Sequence, residues 1–315
     1  MTRYAVALGS NQGDRLAHLR AAVDEIGHLG RITGISGLYE TAPIGGPDQD
    51  PYLNAVAVVV FGLGAEALLD GLARIEESRG RLRSEKWGPR TLDLDIVSSD
   101  EPVLDTPRLQ VPHARVRERR FVLEPLAEIW PDAPVGGDET AAGALKQVLD
   151  QDVALLLRPW EDPSRPNPGI YWVVAQMVWF VAIAVALIVD GSLSDPGLSS
   201  LVGFLLLVTG VGLVLVAAVA LGKARTALPE PAPGASMVEA GPYRLARHPL
   251  YGGLILFFLG ASLALGSATA AVLSFGLVGF FWLKSSYEER RLRIAYPQYS
   301  SYRRQVRRRF LPFLV

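Results

Sequence analysis

Asp93 and Asp95 stand two residues apart in Leu92-Asp93-Leu94-Asp95-Ile96, where apolar and acidic side chains alternate. On a β-strand that alternation sends both carboxylates to one face, roughly 7 Å apart. At an effective dielectric of about 20, two such charges repel by roughly 2 kcal/mol. A solvated sheet face produces the same alternation, but these neighbours are unlike those of a solvated face. Glu76, Arg81, Arg83, Lys86, Trp87 and Arg90 lie upstream, and Arg108, His113, Arg119 and Phe121 downstream. Hard oxygen ligands of this kind suit Mg²⁺, which commonly shares its shell with substrate phosphates. Arg90, three residues before Asp93, has the planar fork of a phosphate clamp. A carboxylate pair ringed by cations and aromatics reads as a nucleotide site.

The elements that must position these residues are legible from periodicity. Arg3–Leu8, Ile32–Tyr39, Asn54–Phe61 and Leu92–Ser98 read as strands. Asp14–His28 reads as a helix with Leu16, Leu19, Val23 and Ile26 on one side, and Gly64–Arg79 as another with Leu68, Leu69, Leu72 and Ile75. Arg119–Ile129 is expected to be helical. The order β-α-β-β-α-β fits an α/β ferredoxin-like sandwich. Arg115, Arg117 and Arg120 read as solvated cations. Gly9-Ser10-Asn11-Gln12-Gly13 precedes a helix as a phosphate-cradling loop would, but lacks the lysine of a P-loop.

The 315 residues exceed one ordinary domain, and their net charge of −1 hides a split. Residues 1–168 hold 18 Lys+Arg and 26 Asp+Glu, net −8; residues 169–315 hold 13 and 6, net +7. An acidic half is joined to a basic, very apolar one, and nothing points to nucleic acid. With no cysteine, disulfides, thiolate metal sites and a cysteine nucleophile are excluded. The N-terminus leads straight into a strand, without the apolar run of a signal peptide. Residues 158–169 contain four prolines and read as a stiff linker between domains 1–157 and 170–315.

Several motifs occur in order along the first half. They are Ala7-Leu8-Gly9-Ser10-Asn11-Gln12-Gly13-Asp14, Tyr39-Glu40-Thr41-Ala42-Pro43, Asp48-Gln49, Tyr52-Leu53-Asn54, Trp87 through Ile96, and Val111-Pro112-His113 with Arg119 and Phe121-Val122-Leu123. In this order they resemble the 6-hydroxymethyl-7,8-dihydropterin pyrophosphokinase family. The resemblance implies transfer of pyrophosphate from ATP to a pterin hydroxymethyl group, with release of AMP and two Mg²⁺. Asp93 and Asp95 would be the metal ligands, and Arg81, Arg83 and Arg90 would stabilise the moving phosphates. Glu76, Trp87, Ile96, Arg108, His113 and Arg119 match nucleotide-holding positions. Thr41, Ile44, Tyr52, Asn54, Trp87 and Phe121 match the pterin pocket, Tyr52 and Phe121 as stacking faces. The family uses the Gly9–Gly13 segment as a structural turn. Lys86 departs from the pattern where many relatives carry arginine, and lysine lacks bidentate geometry.

The second half reads as membrane. Ile170–Val189 is twenty residues with Gln176 its one strongly polar side chain, and Leu198–Leu221 is twenty-four without a charge. Both reach the roughly 20 residues that span a bilayer. Pro249–Leu265 and Ala268–Leu283 are shorter, so an all-α polytopic domain of about four transmembrane helices is expected, its last two a tight hairpin. Segment 190–197 and Gly266-Ser267 carry no lysine or arginine. Lys223, Arg225, Arg244, Arg247, Lys284 and the arginines between 303 and 309 fall on the other side, where those terminal arginines would touch anionic lipid. The positive-inside rule then places both termini in the cytoplasm and the protein in the cytoplasmic membrane.

This half carries Gly241-Pro242-Tyr243-Arg244-Leu245-Ala246-Arg247-His248-Pro249-Leu250-Tyr251-Gly252-Gly253, then Tyr287-Glu288-Glu289, Tyr296-Pro297-Gln298-Tyr299 and Tyr302. Leu221-Gly222-Lys223 and Pro229-Glu230-Pro231 accompany them. They resemble the isoprenylcysteine carboxyl methyltransferase and phospholipid methyltransferase superfamily. That implies S-adenosylmethionine as cofactor, held by Tyr243, Arg247, His248, Pro249, Tyr251, Glu288 and Glu289, and a lipid or small apolar methyl acceptor. Gly252 and Gly253 would permit close helix packing. Two other readings remain: a non-catalytic anchor, and a nicotinamide-dependent reductase-like domain.

Overall fold

The computed structural model describes residues 1–45, 47–80, 88–157, 169–192, 197–224, 226, 228–229 and 236–311. Arg81, Arg83, Lys86 and Trp87 lie outside the described residues, as do the proline-rich stretch 158–168, Arg225, Glu230 and Pro231. The chain forms two compact units, Met1–Pro163 and Ser164–Val315.

The first unit is built on β1 (Thr2–Ser10), α1 (Arg15–Leu29), β2 (Arg31–Ile35), β3 (Leu38–Thr41), β4 (Tyr52–Phe61), α2 (Ala65–Ser78) and β5 (Asp93–Ser99). There follow β6 (Leu104–Asp105), β7 (Gln110–Val111), α3 (Arg120–Ile129), α4 (Ala141–Leu145) and β8 (Val153–Leu157). The antiparallel sheet runs β5-β1-β4-β3-β8, with β2 also on β4. The β-α-β-β-α-β succession is present with two differences. First, the strand expected across Ile32–Tyr39 is two strands, broken at Ser36-Gly37. The Ser36 amide still donates to the Val56 carbonyl at 2.9 Å, but Ser36 Oγ accepts from the Val56 amide at 2.9 Å and donates to the Gly37 carbonyl at 2.8 Å, so a side chain takes the place of one carbonyl in the ladder. Second, β8 adds an outer strand on β3.

Each face of the sheet carries helices. Asp14 caps α1 by accepting from the Ala17 amide at 3.0 Å. α1 packs on β1 and β4 and α2 on β5, burying Leu19 and Ile26 of α1 and Leu68, Leu72 and Ile75 of α2. Each such side chain contributes about 1.5–3 kcal/mol of transfer free energy. Leu16, Val23 and Leu69, expected on those apolar sides, are only half-buried. On the opposite face Ala5, Val56, Val58 and Val97 pack under Val122, Leu123, Leu126 and Trp130. α3 covers only part of that face, and the uncovered end is where Asp93 and Asp95 lie.

The second unit comprises α5 (Gly169–Val189), α6 (Leu198–Leu221), α7 (Pro249–Ala264), α8 (Ala268–Ala295) and α9 (Tyr299–Gln305). Among the described residues three helices, α5, α6 and α8, are long and apolar enough to cross a membrane; α7, at 16 residues, is shorter. The last apolar segment does not stop near Leu283 but continues as a 28-residue helix. Lipid gives helices little hydrophobic reason to associate, so small residues must let backbones approach. At Gly203 an added Cβ would lie 2.8 Å from the Gly260 carbonyl oxygen, and at Gly210 it would lie 2.7 Å from that of Gly253. α6 and α7 therefore touch backbone to backbone at two places. Gly253 has the expected role, but Gly252 does not: its missing Cβ makes room for the Phe310 carbonyl of the C-terminal segment rather than for a helix.

Candidate functional site

In the first unit, strand register assembles the site. Gly9 of β1 lies between Asp93 of β5 and Asn54 of β4, and Ala7 opposite Asp95. Residues in one cross-strand row share a face, so a row of Asp, Gly and Asn has a gap in its middle. A Cβ at Gly9 would sit 3.5 Å from Asn54 Oδ1 and 3.8 Å from both Asp93 Cβ and Tyr52 Cδ1. That gap floors a cavity of about 230 Å³ lined by Thr41, Ile44, Tyr52, Asn54, Arg90, Asp93, Asp95, Arg119 and Phe121. Leu92, Leu94 and Ile96 are buried while both aspartates are half-exposed, as the alternation requires.

The polar groups are ordered by one another. Asn54 Nδ2 donates to Thr41 Oγ1 at 2.7 Å, both residues being buried. The Tyr52 hydroxyl is 3.3 Å from both the Gly88 carbonyl and Gln49 Oε1, and burial raises its pKa. Arg90 Nη1 lies 2.5 Å from Asp93 Oδ1. Burial and the neighbouring Asp93 charge push the Asp95 carboxyl up, while His113, Arg119 and Arg90 oppose them. Burial holds the His113 imidazole below its usual value, and Nδ1 accepts from the Arg115 amide at 3.0 Å. His113 is thus neutral near pH 7, with its proton on Nε2.

Asn11, in the turn before α1, binds two loops at once. Its Oδ1 accepts from the Arg90 amide at 2.7 Å, its own amide donates to the Arg90 carbonyl at 3.0 Å, and Nδ2 donates to Gln49 Oε1 at 2.9 Å. This turn grips the Arg90 segment and the Gln49 segment.

Several expected residues do not line the cavity. Glu76 is buried on α2 and accepts from the Leu94 amide at 2.7 Å. Ile96 is buried, and Arg108 is exposed with its Nη2 2.6 Å from Asp70 Oδ1. Gly9, Ala7, Gln49 and Arg115 do line it, without having been read as site residues. For Gly9 the signal was available: a glycine between two strands that each present a polar residue. Arg120 is not a solvated cation. It bonds Glu124 at 2.7 Å and the Leu149 and Gln151 carbonyls at 2.7 and 2.6 Å, tying α3 to the turn before β8.

In the second unit a cavity of about 130 Å³ is lined by Tyr243, Arg247, His248, Tyr251 and Glu288, with Tyr296, Tyr299 and Tyr302. Pro249 opens α7 at its first position, where a missing N–H is harmless. Glu289 sits behind, 2.8 Å from Arg247 Nε and 3.2 Å from His248 Nε2. Arg247 Nη1 also donates to the Val306 and Arg307 carbonyls at 2.8 and 2.6 Å, so much of its guanidinium is engaged within the fold. Arg309 is not at lipid. It is buried, stacks on Trp282 at 4.1 Å, and bonds Ser286 Oγ at 2.9 Å. The Tyr299 hydroxyl, which motif spacing did not single out for a role, is buried and unpartnered among the described residues.

Comparison with known proteins divides the chain in the same way. The profile of 7,8-dihydro-6-hydroxymethylpterin-pyrophosphokinase matches residues 5–131, and that of phospholipid methyltransferase residues 198–299. A 2-amino-4-hydroxy-6-hydroxymethyldihydropteridine pyrophosphokinase of Pseudomonas aeruginosa is 46% identical over 132 residues, covering 41% of this chain and 82% of that protein. The proteins of that name from Methylorubrum extorquens and Haemophilus influenzae are 43% and 37% identical, covering 47% and 50% of this chain and 94% and 98% of theirs. The chain belongs to the 7,8-dihydro-6-hydroxymethylpterin-pyrophosphokinase family through its first unit, and carries a phospholipid methyltransferase domain in its second.

Proposed function

We propose that the first unit transfers the β,γ-pyrophosphate of ATP to the hydroxymethyl oxygen of 6-hydroxymethyl-7,8-dihydropterin, releasing AMP, as a step of folate biosynthesis. One observation carries this reading: Asp93 and Asp95 share a single cavity with Asn54, Thr41, Tyr52 and Phe121, and Arg90 stands beside them. The donor set fits Mg²⁺. Two carboxylates are too few for an all-protein cage, and among the described residues no third acidic or histidine ligand joins them; Mg²⁺ commonly completes its shell with water and phosphate. When bound, two Mg²⁺ would supply charge neutralisation between the triphosphate and the attacking oxygen. Asp93 and Asp95 hold that charge in place. Asn54 and Thr41 read the pterin edge, and Tyr52 and Phe121 offer it stacking faces. Arg90, with Arg81 and Arg83, takes up charge on the transferring group, and His113 Nε2–H and Arg119 face the nucleotide. Glu76 and Ile96, buried behind β5, would support it, and Trp87 and Arg108 would meet the nucleotide beyond this cavity. Purified protein given ATP, Mg²⁺ and the hydroxymethylpterin should release AMP, and Asp95→Ala should abolish it; full activity in that variant would sink the assignment.

For the second unit we propose methyl transfer from S-adenosylmethionine to a lipid or small apolar acceptor. The convergence of Tyr243, His248, Tyr251 and Glu288 on one cavity, with the unpartnered Tyr299 hydroxyl, supports it. Aromatic faces beside a carboxylate suit an organic cation. The cofactor would supply the methyl group; Glu288 and the tyrosines would orient it. Arg247 and Glu289 would shape the wall more than touch the ligand. Three long apolar helices and the lysine and arginine bias of their flanks support a location in the cytoplasmic membrane with both termini on the cytoplasmic side, where ATP and pterin would be. S-adenosylmethionine should bind the protein in detergent and lose affinity in Glu288→Ala. No binding would favour a non-catalytic anchor, and a stability shift with a nicotinamide a reductase-like domain.

A further inference from the structure

Helix α5 precedes the segment that matches phospholipid methyltransferases, and composition alone would make it a membrane tether. Its packing says otherwise. Gln176, the one strongly polar side chain on α5, accepts from Lys284 Nζ of α8 at 2.5 Å. Lys284 is 2% exposed, in a helix long and apolar enough to cross a membrane. An ionisable group in that setting is costly and rarely without a task. Lys284 does not line the cavity, but its Nζ lies 5.4 Å from the ring centroid of Tyr251, which does. The Tyr251 hydroxyl donates to Glu288 Oε2 at 2.9 Å, and Glu288 stands one helical turn beyond Lys284 on the same face. The Tyr251 ring also stacks with His248 and Phe281, with centroids 5.6 and 4.6 Å away. A connected path runs from α5 through Gln176, Lys284 and Tyr251 to the carboxylate at the cavity wall. Aromatic contacts hold α5 in register for it: Trp172 meets Phe280 and Tyr287, and Trp179 Nε1 donates to the Leu273 carbonyl at 3.0 Å.

We propose that Lys284, held by Gln176, is a positioning residue for the cavity of the second unit, and that α5 is a working part of that site. The Lys284 cation attracts the Tyr251 ring and stabilises negative charge at Glu288. Both effects are strong where water is excluded. The carboxylate and the tyrosine are thereby fixed before a ligand arrives. Gln176 supplies the acceptor that makes a buried ammonium tolerable.

The inference rests on the reading that this cavity takes S-adenosylmethionine, and the test separates the two. Binding of S-adenosylmethionine to the full chain in detergent is measured by calorimetry beside thermal unfolding. Lys284→Met keeps length and apolar packing while removing the charge; it should weaken binding about tenfold or more, the scale of one charge-assisted contact. Gln176→Leu should weaken it in the same direction without removing a charge. Lys284→Arg should restore affinity to within about threefold of wild type, since a cation remains. None of the three should lower the unfolding midpoint in proportion to the affinity lost, as a purely structural role would require. Wild-type binding with unchanged affinity in Lys284→Met and Gln176→Leu would overturn the inference alone. Absence of wild-type binding would overturn the cofactor reading and this inference with it.

Discussion

Arg90 Nη1 lies 2.5 Å from Asp93 Oδ1, so the cation proposed for phosphate is paired with a carboxylate proposed for metal. Both side chains are about a quarter exposed, at 29% and 22%, so the pair adds at most about 1 kcal/mol to stability. Its meaning is positional: each group holds the other's place until ligands exchange partners. Arg90→Ala should therefore leave folding nearly unchanged and cut turnover about 100-fold, as loss of one donor to developing charge does. Nucleotide affinity should fall far less. Equal losses in turnover and affinity, from steady-state kinetics and equilibrium titration, would argue against a transition-state role.

Asp95 makes a pH-dependent prediction. Burial and Asp93 raise its carboxyl above the unfolded value of about 3.9. A raised acid stabilises the fold when protonated, so its contribution is present below that unfolded value and is lost as pH rises through the folded one. Near pH 7 without metal, Asp95 therefore opposes folding. Asp95→Asn should raise the unfolding midpoint of the metal-free protein at neutral pH and raise it less in acid. Mg²⁺ with nucleotide should stabilise wild type and not the variant. Differential scanning fluorimetry across pH checks both statements.

Gly9 separates folding from binding. An alanine Cβ would meet Asn54 and Asp93 at ordinary contact distances of 3.5 and 3.8 Å, so the strand accepts it. It would nevertheless fill the cavity floor between the carboxylates and the pterin edge. Gly9→Ala should leave stability within about 1 kcal/mol of wild type, since alanine loses less chain entropy than glycine. KM for the pterin should rise severalfold, and unchanged pterin kinetics would place the ligand elsewhere.

Tyr299 offers the converse test in the second unit. Its hydroxyl is buried and without a hydrogen-bond partner among the described residues. Removing an unsatisfied buried polar group is neutral or stabilising. Tyr299→Phe should not lower the unfolding midpoint, while S-adenosylmethionine affinity should drop severalfold. A variant with wild-type affinity would show that the hydroxyl serves no ligand.

Much of the first site was legible because strand alternation is a strict rule. Leu94 and Ile96 had to point away from Asp93 and Asp95, and they do. What escaped depended on contacts between distant segments. No local pattern reveals that Ser36 Oγ displaces a carbonyl in the ladder, or that Arg120 serves carbonyls around 30 residues on. Gly9 matters through what is absent across two neighbouring strands, which only the register exposes. In the second unit hydropathy located the apolar segments but misjudged the length of α8. Apolar content ends near Leu283, whereas backbone hydrogen bonding continues to Ala295. Arg309 was misplaced for a related reason: charge predicts solvent or headgroups until a chain folds back over it.

The two glycine contacts between α6 and α7 fall seven residues apart on each helix, at Gly203 with Gly260 and Gly210 with Gly253. Two such contacts act as a ruler. Sliding either helix by one residue would drive a side chain into a facing backbone at both marks together, so neither sliding nor rolling is open to the pair. Leu221, at the end of α6, and His248, just before α7, both border the cavity of this unit. The distance between them is consequently set by four positions that do not themselves line the cavity. Sequence drift along the cavity rim can retune what binds there, while the width of the opening stays fixed by hydrogen atoms where side chains would otherwise be.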